Sequence, residues 1–128
     1  MTKITWFDDI HIRQKAMMLC DGIYAITLMD AFSTDFARKD QIRNSAITVP
    51  AIIAKGIERE SINLFIYFLT IAKASAIELR TQQILTNNQK YVSEIDFSKL
   101  KKLCNEIGMR LSRFITYLHE MKQKNVNL

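Results

Sequence analysis

From Phe97 to Met121, apolar residues recur in alternating steps of three and four without a break: Phe97, Leu100, Cys104, Ile107, Leu111, Phe114, Leu118 and Met121. A strand would alternate every second residue. Steps of three and four put all eight side chains on one stripe of an α-helix, and that stripe needs helical partners to cover it. The remaining sequence supplies them. With one proline and three glycines in 128 residues, turn material is scarce, which favours a few long helices. The length suits one domain, residues 1–128, with a real core.

Three further helical segments precede this seam. The first is expected to start near Asp8 or Asp9, with an inner stripe of Ile10, Met17, Cys20, Tyr24, Thr27 and Ala31, and to end near Phe32. The second runs from about Asp35 to Lys55, with Ile42, Ala46, Val49 and Ile53 at helical steps. It contains Pro50, which removes a backbone donor and pushes its ring at the carbonyl of Ala46, at a cost of about 3 kcal/mol. Because the periodicity passes through, a kinked but continuous helix is expected. Gly56 reads as a left-handed C-cap and Ser61 as the cap of the next helix. The third helix spans about Ile62 to Asn87, with one stripe of Ile62, Phe65, Ile66, Leu69, Ala72, Ala76 and Leu79. A second stripe holds Phe68, Ile71, Ala74 or Ser75, Ile77 and Ile84. A helix this apolar all round needs cover on more than one side. Phe68, Ile71, Ile77 and Ile84 are therefore candidate contacts in a homo-oligomer. The fourth helix, carrying the seam, begins at Ser93 or Asp96. Short connections make the whole an all-α, up-down-up-down antiparallel four-helix bundle.

Charge divides unevenly. Residues 1–64 carry eight Lys and Arg against eight Asp and Glu, and residues 65–128 carry ten against five, so the net +5 lies in the second half. Candidate phosphate contacts are Lys73, Arg80, Lys99, Lys101, Lys102, Arg110, Arg113, Lys122 and Lys124. Against a single basic groove, Lys99, Glu106, Arg113 and Glu120 alternate in sign along one outer row, and Glu106 stands at ion-pair spacing from Arg110. Basic and aromatic residues do not interleave as a single-strand stacking platform would require.

Catalytic and metal chemistry find little support. A di-iron bundle needs two Glu-x-x-His pairs. Here His119 has Thr116 three residues before it and His11 has Asp8. Cys20 and Cys104 lie far apart, lack zinc-ligand spacing and fall on apolar stripes, so they read as buried thiols. No glycine-rich phosphate loop is present. No cofactor, metal or catalytic residue is assigned. The N-terminus lacks a signal core and INLFIYFLTIA is about half a bilayer span, which points to a cytoplasmic protein without a membrane partner.

The run QIRNSAITVPAIIAKGIERES, followed by LFIYFLTIAKASAIELRTQ, resembles the bacterial four-helix-bundle family of 23S rRNA intervening-sequence proteins. Positions matching the family pattern include Gln41, Arg43, Ala46, Val49, Pro50, Ile53, Gly56, Arg59 and Ser61. Further along they include Phe65, Phe68, Leu69, Ala72, Ser75, Glu78, Leu79, Thr81 and Gln82. Pro50, Gly56, Arg59 and Ser61 form its structural core motif. The resemblance covers about residues 7 to 121. Arg13, Ile52, Lys55, Ala74 and Arg80 depart from it, standing where the family has Trp, Asn, Glu, Gly and Glu. The resemblance implies a ring-like homo-oligomer, a pentamer, with no known enzymatic activity. A related bundle, the accessory variability determinant of diversity-generating retroelements, binds nucleic acid and a reverse transcriptase. RNA or DNA, or else a protein partner, is the expectation that follows.

Overall fold

A computed structural model of the chain describes residues 3–58 and 61–126. Four long helices and one short one follow each other: α1 (Lys3–Thr27), α2 (Asp30–Ser33), α3 (Phe36–Ile57), α4 (Ile62–Asn88) and α5 (Glu94–Val126). The long helices pack antiparallel in a closed ring. α1 lies against α3 and α5, α4 lies against the same two, and no backbone approaches closely across the diagonals among the described residues.

The seam of α5 is where the spacing put it. Leu100, Cys104, Ile107, Leu111, Phe114 and Leu118 are buried, and Met121 packs half-buried at the end of the row. The Ser93 hydroxyl accepts from the Asp96 backbone N–H at 3.1 Å and opens the helix. In α3, Ile42, Ala46, Val49 and Ile53 are buried as expected. The helix runs unbroken through Pro50, and Asp35 caps it by accepting from the Arg38 N–H. Ser61 caps α4 by accepting from the Leu64 N–H. Arg59, the remaining residue of the structural motif, lies outside the described residues.

Two expectations are corrected. α1 starts at Lys3 rather than at Asp8 or Asp9, and it buries Ile12, Ala16, Leu19, Ile23 and Ile26 together with Thr27. Met17, placed on the inner stripe, is 60% exposed. Two stripes at helical spacing compete in this segment, and the one built of aliphatic residues and Ala faces the core. The helix stops at Thr27, and Phe32 sits in the separate turn α2, where it is fully buried and plugs the end of the bundle. Gly56 is the second correction. No glycine adopts positive φ, and α3 continues past Gly56 to Ile57. A Cβ at Gly56 would stand 3.1 Å from both Phe65 Cδ1 and Phe68 Cβ. The glycine is there so that α3 and α4 can approach, not to turn the chain.

Polar side chains tie the end of the bundle near Phe32. Arg43 Nε donates to Thr27 Oγ1 at 2.8 Å, and its guanidinium lies over the Tyr24 ring at 4.5 Å. The Tyr91 hydroxyl donates to Asp35 at 3.0 Å, while its ring meets Phe32. That hydrogen bond, with desolvation behind it, pushes the Tyr91 phenol above its usual range.

Candidate binding surfaces on the flanks of helix α4

α4 is apolar on nearly every side, and its own bundle covers only part of it. Phe65, Leu69, Ala72, Ala76 and Leu79 face the core. Tyr67, Ile77, Ile84 and Leu85 remain 40–58% exposed. Among the described residues, α4 is the one helix long and apolar enough to cross a membrane by length and composition; here it is packed between α3 and α5. The residues expected to form one oligomer face divide between its flanks. Ile71 and Ile77, six residues apart, point about 120° apart around the axis. Phe68 is half-buried on the α3 side beside Gly56, and Ile71 is half-buried. Ile77 lines the α5 side, and Ile84, seven residues on, continues its row.

The α5 flank is a groove of about 670 Å³. Its floor is Ala76 and Ile77 from α4, with Cys104, Gly108 and Met109 from α5. Three cations stand around it: Lys73 and Arg80, seven residues apart on α4, and Arg113 on α5. Asn105 and Ser112 complete the lining, which holds no carboxylate. Arg80 Nη1 donates to Asn105 Oδ1 at 3.3 Å across the groove. Gly108 keeps the floor low, because nothing lies within 4 Å of the place its Cβ would take. The Cys104 thiol is buried and lies 3.2 Å from the Ala76 carbonyl, to which it donates. Desolvation pushes its pKa up to about 11, against the opposing charge of Arg80. A thiol so held is a core group rather than a nucleophile.

The other candidate cations do not join this group. Arg110 donates to Glu106 from Nε and Nη2, both at 3.3 Å, and Lys15 of α1 reaches the same carboxylate at 3.5 Å. Desolvation alone would raise the Glu106 carboxyl, but the hydrogen bond from Arg110 and the charges of Lys15 and Arg110 hold it below its usual range. Lys101 lies over the Phe97 ring at 5.6 Å, and with Lys102 it borders an adjoining depression that shares Asn105 and Met109 with the groove and includes Glu106. Lys99 and Lys124 are exposed and Lys122 is half-buried. Of nine candidates, Lys73, Arg80 and Arg113 share one concave surface.

The α3 flank of α4 was not singled out from the sequence. It is a second groove, of about 610 Å³, whose lining is polar apart from Leu85. Ser45 Oγ donates to Glu78 Oε1 at 3.2 Å, and Gln82 Nε2 donates to Ser45 Oγ at 2.7 Å and to Glu78 Oε1 at 3.2 Å. Glu78 thus serves a hydrogen-bond network across α3 and α4. Gln82 and Gln83 are buried, and Gln82 Oε1 and both amide atoms of Gln83 have no protein partner. The signal was present. Gln41, Ser75, Glu78, Thr81 and Gln82 all match the family pattern and all line this groove. Polar residues at helical spacing read as solvated surface until the partner helix is placed. Among the described residues, no three His, Cys, Asp or Glu side chains are grouped as metal ligands.

Comparison with known proteins agrees with the architecture. The profile of the 23S rRNA-intervening sequence protein family matches residues 8–113. No curated protein matches. The chain is similar in structure to a protein of unknown function from the S23 ribosomal protein family of Bacteroides thetaiotaomicron VPI-5482. The TM-score is 0.79 at 21% identity, covering 85% of this chain and 98% of the other.

Proposed function

Because the chain belongs to the 23S rRNA-intervening sequence protein family, we propose that it acts without catalysis, as a cytoplasmic self-assembling bundle that holds RNA or DNA on its cationic side. The observation that carries self-assembly is the apolar outer surface of α4 that the chain leaves open, Tyr67, Ile84 and Leu85. A further copy of the chain is the nearest cover for it, in a ring of five, with α3 bent at Pro50. In such a ring the net +5 of each chain is multiplied, and non-specific nucleic-acid affinity rests on charge of that kind. Lys73, Arg80 and Arg113 supply the phosphate contacts. The test is a fluorescence anisotropy titration of labelled structured RNA and duplex DNA at two salt concentrations. Binding that weakens steeply with salt and is lost on reversing Lys73, Arg80 and Arg113 supports the reading. No binding at low salt refutes the nucleic-acid part of it.

A second reading, an adaptor whose partner is a protein, is favoured by one feature of the same groove. Its three cations surround exposed apolar side chains, Ile77 and Met109, where a phosphate backbone gains nothing.

A further inference from the structure

We propose that the α4–α5 groove docks an acidic amphipathic helix of a partner protein. The proposal rests on the adaptor reading and gives its partner a chemistry. Lys73 and Arg80 are one heptad apart, so the cationic rim on α4 extends over about 10 Å, two helical turns. An amphipathic helix anchors at i, i+3 or i+4, and i+7 over the same distance. The floor offers what such anchors need. Ile77 is 46% exposed and Met109 55% exposed, with Ala76 between them and the core. A methionine in this place adapts to differently shaped anchors.

The electrostatics choose the sign of the partner. Lys73, Arg80 and Arg113 rise around the floor and no carboxylate lines it. Acidic residues flanking the anchors of an incoming helix would meet cations on both sides, while a basic or neutral helix would leave them unmatched. Arg80, the one cation bridged across the groove, reaches only a neutral amide at 3.3 Å, and a carboxylate can replace that contact. Nucleic acid would use the three cations of the groove but not its floor. It would set phosphates over Ile77 and Met109, and among the described residues the groove has no aromatic ring for a base to stack on.

The probe is a fluorescein-labelled peptide with Leu at i, i+3, i+4 and i+7 and Glu beside them. A permuted peptide of the same composition is the control, and the full chain is titrated by anisotropy. The patterned peptide should bind at least tenfold more tightly than the permuted one. Met109→Glu and Arg113→Glu should each weaken it about tenfold, and Lys99→Glu, outside the groove, should leave it unchanged. Met109 and Arg113 are exposed, so thermal melts of both variants should match the parent chain. Equal binding of the two peptides, or equal loss from Lys99→Glu and Arg113→Glu, overturns the proposal. If duplex DNA binds, tolerates Met109→Glu and neither peptide binds, the docking proposal fails while phosphate contact stands. If Met109→Glu instead reduces particle mass and neither peptide binds, the groove belongs to a second copy and the proposal fails.

Discussion

The two flanks of α4 are built from one helix and differ in almost everything else. Towards α3 the crossing is close, made so by Gly56, and hydrogen bonds from Ser45 and Gln82 to Glu78, and from Gln82 to Ser45, lace it. Towards α5 the groove has an apolar floor, a cationic rim and, among the described residues, two hydrogen bonds between its helices, from Arg80 to Asn105 and from the Cys104 thiol to the Ala76 carbonyl. A groove whose two helices are joined by side-chain hydrogen bonds holds a fold together. A groove that leaves charge and apolar surface uncommitted is free to meet something else.

The comparison breaks most readily at the glycines. Gly56→Leu drives a side chain into Phe65 and Phe68 and should cost about 3 kcal/mol, read as a fall in the denaturation midpoint. Gly108→Ala, on the opposite flank, meets nothing. It should stabilise the chain by about 1 kcal/mol through helix propensity alone, and equal losses at both glycines would erase the contrast. Ser45→Ala removes the hydroxyl that joins Gln82 to Glu78 and should cost about 1–2 kcal/mol, whereas Arg113→Glu should leave the melting temperature within its error.

A gain is also expected at Lys90. It follows α4 at φ 61°, a conformation that favours glycine, so Lys90→Gly should gain about 0.5–1 kcal/mol in chemical denaturation.

A further effect concerns pH. The Cys104 thiol holds its proton in the fold up to about pH 11, against an ordinary value of 9.0. The unfolded chain therefore releases the proton first as pH rises. Stability from this group is whole below pH 9 and is lost between pH 9 and 11. The difference in unfolding free energy between the parent chain and Cys104→Ala should shrink across that window.

Much of this architecture is legible in the sequence, because burial on one side of a helix leaves a period. The α5 seam and the α3 stripe needed only counting. α1 misled because two apolar stripes fit its spacing, and only packing against α3 and α5 decides between Ile12 and Met17. Gly56 misled because a glycine near a helix end suits a cap as well as a crossing, and the choice depends on where Phe65 and Phe68 of the next helix fall. The candidate surfaces were less legible still. Lys73, Arg80 and Arg113 were three cations among nine until α4 and α5 were set side by side. Ser45 and Gln82, 37 residues apart, carry no sign of their hydrogen bond in their spacing.

What joins the two flanks is the outer surface of α4, and its exposed Tyr67, Ile84 and Leu85 make self-association the central claim. Light scattering of the purified chain across a range of concentrations tests it most directly. A particle mass that is a multiple of 14.9 kDa, fivefold for the expected ring, and that falls in Ile84→Asp, is the predicted result. A mass of 14.9 kDa at every concentration would contradict it.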